Sequence, residues 1–414
     1  MPEHMPIYIG DHAVEEFIKF CQKSNYQKYL LVADENTYRV LGKRVHEAMK
    51  NEGWDVLYII LHPESLHADS ATLSRVFAVY DGQPRMFVAV GSGTITDTAR
   101  FTSHRSQNPF ISLPTAASVD AYTSVNAPVT IGELKGSIYC QAPAAIFTDI
   151  PTIVESPKWL TASGFGDLTS KFTSSSDWKF THIIWGSKYD TRIYEKALGA
   201  ALQAAAVAEG IVTHDPKSMA AMMRGQFDSG FSMADFGNSA PASGGEHHIA
   251  HVWEMMFHWA GHEGLYHGNA VGVATIIEAE WYERLRKLSK KDAEELLSRA
   301  QVPSRAEQEK TIRAELPEIA KELIASNPIY VQLSDPLVLE RVKKSILDNW
   351  DEIQAVAAKV PPPDQFRAWL KSLGGPITTA ELDLSPRQAK TAIDHGHYLR
   401  ERFSINNIRK LFGW

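Results

Sequence analysis

Short apolar runs, each closed by small or polar residues, recur through the first third of the chain. Tyr29-Leu30-Leu31-Val32-Ala33 ends at Asp34, and Val56-Leu57-Tyr58-Ile59-Ile60-Leu61 follows. Met86-Phe87-Val88-Ala89-Val90 runs directly into Gly91-Ser92-Gly93, and Phe110-Ile111-Ser112-Leu113 precedes Pro114-Thr115. Val40–Met49 and Leu73–Tyr80, between these runs, carry apolar residues at helical spacing. Unbroken apolar runs alternating with helices predict a parallel sheet covered on both faces. Residues 127–143, with Gly132 and Gly136 as turn residues, predict a hairpin, and Ala144–Asp149 returns as a strand. From Trp159 onward the pattern is helical almost throughout, and the alanine-rich stretch Glu195–Val212 predicts a buried helix. The expected architecture is an α/β N-terminal nucleotide-binding domain over residues 1–155 and an all-α C-terminal domain over 156–414.

The length of 414 residues agrees with two domains. Hydrophobic residues make up 44% and charged residues 22%, the balance of a globular protein in water. The net charge of -7 comes without a basic block of the kind that tracks a nucleic-acid backbone. No apolar run is long enough to span a bilayer, and Met1–Pro6 lacks the regions of a signal peptide. Cys21 and Cys140 are the 2 cysteines, as expected of a reducing, cytoplasmic setting. Residues 283–364 are rich in charges of alternating sign, which predicts solvated helix faces.

Three segments carry chemistry. Gly91-Ser92-Gly93-Thr94-Ile95-Thr96-Asp97 sits between a buried strand and a helix. Such a turn brings backbone close to a phosphate and aims helix N–H groups at it, although an ordinary strand-to-helix turn has the same composition. Asp34, at the end of an earlier strand, is placed to accept from ribose hydroxyls, a reading compatible with a helix cap over Asp34–Thr37. Farther on, Ser243–His251 reads Ser-Gly-Gly-Glu-His-His-Ile-Ala-His, with His267-Gly268 beyond it. On a helix, His247 and His251 share one face. With Asp167, from Gly164-Phe165-Gly166-Asp167, the residues His247 and His267 make a three-ligand set for a divalent metal, leaving a position open for substrate oxygen. Lys171, four residues after Asp167 and so one helical turn on, reads first as a surface lysine and second as a group facing a phosphate. Zinc, nickel and iron accept the same ligands.

Gly91–Asp97, Pro114–Ser124, Gly164–Lys171, Ser243–His251 and His267-Gly268, in that order, resemble the sn-glycerol-1-phosphate dehydrogenases, especially the bacterial type. That family lies in the iron-containing alcohol dehydrogenase and dehydroquinate synthase-like superfamily. The resemblance covers roughly residues 1–280. It implies a dehydroquinate synthase-like fold and NAD(H) or NADP(H) as cofactor. Gly93, Thr94, Ile95, Thr96 and Asp97, with Thr115 to Ser118, would line the dinucleotide, and Asp34 and Ser124 would touch it. Asp120 would contact substrate. Asp167, His247 and His267 would bind zinc or nickel, and His251 would contact substrate in place of metal. A homodimer is common in the family. Ala121 stands where glycine is usual, Asn269 where an acid is frequent, and Arg100 where lysine is frequent.

The reaction this implies is reduction of dihydroxyacetone phosphate to sn-glycerol 1-phosphate. His251, Asp120 and Asp167 are the expected catalytic residues, with His251 as a proton relay because an imidazole titrates near neutral pH. A sugar-phosphate cyclase, a polyol or glycerol dehydrogenase, and a non-catalytic nucleotide binder remain as alternative readings.

Overall fold

The structure, a computed structural model, describes residues 5–62, 66–132, 134–262 and 264–414. Met1–His4 and Glu133 fall outside these, as do parts of the leader and hairpin expectations that rest on them. Among the described residues eight strands form: β1 (Ile7–Gly10), β2 (Lys28–Asp34), β3 (Asp55–Leu61), β4 (Met86–Gly91), β5 (Phe110–Pro114), β6 (Asn126–Ile131), β7 (Leu134–Tyr139) and β8 (Ala145–Asp149). Six make one sheet in the order β1-β8-β5-β4-β2-β3, and every pair within it is parallel. β6 and β7 form the predicted antiparallel hairpin.

The central strands β2, β4 and β5 are apolar between their end residues, Ser112 apart, because both faces are buried. Tyr29, Leu31 and Ala33 of β2 join Val88, Val90, Ile111 and Leu113 in one core cluster. The intervening Leu30 and Val32 join Phe87, Ala89 and Phe110 in a second cluster. Side chains alternate along a strand, so the two clusters are the two faces of the sheet. Helices cover both: Phe17, Val45 and Met49 pack on the first, Val76, Ile95 and Ala99 on the second.

The strand order positions the nucleotide segment. β2 leads to β3 on one side, and the chain then crosses back to place β4 on the other side of β2 before continuing to β5. Connections leaving β2 and β4 therefore diverge, which opens a crevice at their C-terminal ends. Asp34 ends β2 and Gly91 ends β4.

Seven helices matter below: α1 (Gly93–Arg105), α2 (Lys158–Thr169), α3 (Lys171–Phe180), α4 (Thr191–Ala206), α5 (Pro216–Phe236), α6 (Gly245–Trp259) and α7 (His267–Arg286). The chain packs as two compact units. One runs to Leu168 and includes Gln203–Asp235; the other is Thr169–Leu202 with Phe236–Trp414. Each unit thus draws on helical segments from beyond residue 155. The alanine-rich stretch departs from expectation: α4 is followed by a separate short helix over Ala208–Val212, and burial is mixed, with Leu202 54% exposed. Among the described residues no helix is long and apolar enough to cross a membrane. The charged stretch carries one-turn ion pairs along exposed faces, as between Lys287 and Glu283 at 3.1 Å and Arg305 and Glu309 at 2.9 Å.

Candidate functional site

The first unit holds the nucleotide segment and two acids. Ser92, in extended conformation, precedes α1, and the Thr96 N–H closes on the Ser92 carbonyl at 3.0 Å. The first-turn N–H groups of α1 therefore sit at the β2/β4 crevice, the position at which an open sheet receives a pyrophosphate. Thr94 is half-buried there. Ile95 instead sends its side chain into the core, so it can offer a cofactor only its backbone. Asp97 pairs with Arg100 at 2.5 Å, and the Thr96 hydroxyl lies 3.5 Å from that of Ser112. Arg100, fully buried, also donates to the carbonyls of Ala121, Tyr122 and Asn126. It ties α1 to the segment that carries Asp120.

The Asp34 carboxylate accepts the Thr37 N–H at 2.9 Å, and the Asp34 N–H donates to the Thr37 hydroxyl oxygen at 3.0 Å. The capping role is thus realised, at the mouth of the crevice. Thr115 donates its N–H to the Gly91 carbonyl at 3.2 Å, which holds the β5 loop beside the glycine turn. Ser118 and Ser124 are buried; the Ser124 hydroxyl accepts the Asn126 N–H at 3.0 Å, and Ser118 pairs with Tyr122 at 3.3 Å.

Asp120 and Asp167 are brought together. The Asp120 N–H donates to Asp167 Oδ2 at 3.1 Å, and both residues are buried. The glycines before Asp167 lie inside α2 instead of loosening it. A Cβ on Gly164 would stand 1.8 Å from the Ala117 carbonyl oxygen and 2.5 Å from Gln226 Nε2. Absence of a side chain lets α2 press against the β5 loop and sets Asp167 beside Asp120. Ser229, on α5, donates its hydroxyl to Asp120 Oδ2 at 2.6 Å. Sequence reading missed Ser229, since a lone serine on a helix of mixed pattern carries no signal.

The second unit holds the histidines. α6 carries His247 and His251 on one face as the four-residue spacing predicts, and His267 opens α7, which packs on α6. Ring centroids lie 5.8 Å apart for His247 and His251, 5.2 Å for His247 and His267, and 5.3 Å for His251 and His267. Each of two rings meets an acid that sequence reading did not single out. His247 Nδ1 lies 2.7 Å from Glu246 Oε1, and His267 Nδ1 lies 2.6 Å from Glu254 Oε1. A carboxylate only accepts, so both rings carry their proton on Nδ1 and present Nε2 as the ligating nitrogen. That donor set fits a first-row divalent ion. A ligand atom each of His251, Glu254 and His267 also lie within 4.8 Å of one another.

Burial raises the Glu246 carboxyl, but the bond to His247 and the Gly244 and Thr173 donors outweigh it and hold the group below the usual glutamate range. Burial pulls His251 well below the ordinary imidazole range, with Glu254 opposing and His267, Arg400 and His247 adding. His251 is therefore a neutral ring at pH 7, suited to share one proton by hydrogen bonding. Lys171 corrects the surface reading: it is fully buried, with Nζ 3.3 Å from the Ser170 hydroxyl. α2 and α3 are buried on all sides from Thr161 to Trp178. Their many small and hydroxyl residues hide the pattern that separates inside from outside.

Comparison with known proteins adds the family. Residues 8–157 match the model of the iron-containing alcohol dehydrogenases. The glycerol-1-phosphate dehydrogenase [NAD(P)+] of Geobacillus thermodenitrificans is 31% identical over 405 residues, spanning 96% of this chain and 90% of that protein. The chain belongs to the glycerol-1-phosphate dehydrogenase family. The Bacillus subtilis member is 30% identical over 404 residues, covering 96% of this chain and 88% of its own. Among solved structures, an alcohol dehydrogenase from Oenococcus oeni superposes with a TM-score of 0.61 at 14% identity, over 99% of this chain and 97% of that one. Glycerol dehydrogenase from Schizosaccharomyces pombe gives 0.57 at 17% identity, over 89% and 91%. These likenesses bear out the expected fold class, and the relatives bear out the family resemblance beyond residue 280, across nearly the whole chain.

Proposed function

We propose that this protein is a metal-dependent NAD(P)H oxidoreductase that reduces dihydroxyacetone phosphate to sn-glycerol 1-phosphate. The observation that carries the reading is a relationship spanning 96% of the chain to a protein named for that dehydrogenase activity. The site chemistry supports it. In this reading residues 1–155 bind the dinucleotide, at Asp34, Gly93–Asp97, Thr115, Ser118 and Ser124, and residues 156–414 supply metal and substrate ligands. Asp167, His247 and His267 hold one divalent ion, zinc, nickel or iron, which when bound acts as a Lewis acid toward the substrate carbonyl oxygen.

The chain's own residues do the remaining work. The α1 N-terminus orients the dinucleotide so that the nicotinamide can face the carbonyl carbon. Asp120, fixed by Ser229, contacts substrate. His251, neutral in its surroundings, hydrogen-bonds the substrate oxygen and relays to it a proton from water, taking one at its second ring nitrogen as it gives one up at the first. The partner is a small phosphorylated ketone or alcohol. The protein works as a homodimer in the cytoplasm, a setting supported by Cys21 and Cys140, both buried and both free thiols.

The deciding experiment follows NADH oxidation with dihydroxyacetone phosphate and with dihydroxyacetone, then resolves the product's handedness. Sustained oxidation with the phosphate ester and sn-glycerol 1-phosphate as product is expected. Equal turnover without phosphate would make the protein a polyol dehydrogenase, and no net NADH consumption would favour a cyclase. Asp167→Ala, His247→Ala and His267→Ala should each lose metal and turnover while still binding NADH. His251→Ala should keep the metal and turn over slowly; loss of the metal would make His251 a ligand.

A further inference from the structure

We infer that Glu246 and Glu254 are positioning residues for the metal centre. Each fixes one ligating imidazole in the tautomer and orientation that present Nε2 to the ion. The inference rests on the metal reading above and goes beyond it to residues that do not touch metal or substrate.

The same arrangement occurs twice, on different rings and from different turns of α6. Glu246 is fully buried and itself immobilised: Oε1 accepts the Gly244 N–H at 2.8 Å and the His247 Nδ1–H at 2.7 Å, and Oε2 accepts the Thr173 hydroxyl at 2.9 Å. A carboxylate with donors on both oxygens has one way to face and no proton to give. His247 must then carry hydrogen on Nδ1. Glu254 lies two turns along α6, its side chain 4% exposed, and reaches across to the first residue of α7. It holds the His267 Nδ1–H at 2.6 Å. His267 is the more exposed ring, with 26% of its side chain open, so it has the most freedom to lose. A neutral imidazole free to exchange its proton between Nδ1 and Nε2 and to rotate offers its ligating nitrogen only part of the time. A buried carboxylate on Nδ1 removes that choice and makes Nε2 a better donor.

The test measures Zn²⁺ affinity by competition with a chromophoric chelator on full-length protein stripped of metal. The expected order begins with wild type, which takes up one zinc per chain. Glu254→Gln should be intermediate, because the amide oxygen still accepts the Nδ1–H. Glu254→Ala and Glu246→Ala should weaken binding by roughly 10- to 100-fold. His247→Ala should lose the ion. Visible spectra of the cobalt-loaded forms should differ between Glu254→Ala and wild type, as ring orientation changes the ligand field. Wild-type zinc affinity and an unchanged cobalt spectrum in Glu254→Ala, whatever its melting temperature, would overturn the inference and leave the metal reading intact. Should Glu246→Ala fail to fold, Glu254→Ala and Glu254→Gln decide alone. Failure of wild type to bind zinc, or wild-type affinity in His247→Ala, would instead sink the metal reading itself.

Discussion

Gly164 is the residue on which the geometry of the two acids turns. The Cβ of an alanine there would meet the backbone oxygen of Ala117 at 1.8 Å, and backbone cannot swing aside as a flexible side chain can. Gly164→Ala should therefore destabilise by about 3 kcal/mol. Because Asp167 lies on the same helix and receives the Asp120 N–H, turnover should fall as well. Gly199, in α4, has nothing within 4 Å of its Cβ position, and Gly199→Ala should stabilise by about 0.5–1 kcal/mol. Denaturant midpoints for the two variants should move in opposite directions; a wild-type midpoint for Gly164→Ala would mean α2 is not pressed on the loop. Residues of this kind were half legible. The sequence pointed to Asp167, His247 and His267 because rare side chains cluster beside glycines, and to Asp34 because it closes an apolar run. Ser229 and Glu254 were not legible, since they act by completing hydrogen bonds whose other ends lie farther along the chain, and Glu246, although next to His247, carries no pattern that says its carboxylate turns to that ring. Lys171 was misread because a charge on a helix is usually solvated, and only tertiary packing buries this one.

At the scale of elements, α3, α6 and α7 bring together three buried acids, Asp177, Glu246 and Glu278. Asp177 accepts from the Tyr282 hydroxyl and from the N–H groups of Gly245 and Ile405. Among the described residues neither oxygen of Glu278 has a hydrogen-bond partner. Burial, followed by the charges of Asp177 and Glu246, raises Glu278 well above the ordinary glutamate range. Burial and Glu246 push Asp177 up to about 7 against its three donors. A carboxyl whose folded-state pKa is raised contributes stability that is complete below its unfolded value and lost as pH rises through the folded one. His248 and His397 are lowered by burial, so their effect is confined to the acid side. Each of the two acids should accordingly subtract stability as pH rises from the ordinary carboxylate range to its raised folded value, about 7 for Asp177, at up to about 1.4 kcal/mol per pH unit for each proton that the folded chain keeps and the unfolded chain has lost, against the opposite trend of the two histidines on the acid side. Glu278→Gln should reduce that slope. Denaturant midpoints of both proteins across this range provide the check, and equal slopes would show that Glu278 is already ionised. The elements themselves were mostly legible. The central strands of the sheet announced themselves as apolar runs because both faces are covered. β1 escaped notice: it has four residues, all only half-buried, at the sheet edge.

For the molecule as a whole, the nucleotide residues and the histidines belong to different compact units, so the nucleotide site and the imidazole ligands are each built by local packing, with Asp167 the one proposed metal ligand carried by the first unit. The crevice between β2 and β4 requires only the strand order, the Asp34 cap and the α1 N-terminus. The imidazole tautomers require only Glu246, Glu254 and the packing of α6 on α7. Stripping the metal should thus leave NADH affinity, read by nucleotide fluorescence, near that of the loaded protein. It should nevertheless lower the melting temperature, because an ion that binds only the folded chain stabilises it by about 2.7 kcal/mol at one hundred times its dissociation constant. Zinc added back should restore the melting temperature in wild type, only at higher concentration in Glu254→Ala, and at no concentration in His247→Ala. If chelation abolished NADH binding along with the metal, the nucleotide and imidazole ligands would depend on each other. Survival of NADH binding with a depressed melting temperature is the pattern that separately built ligand sets require.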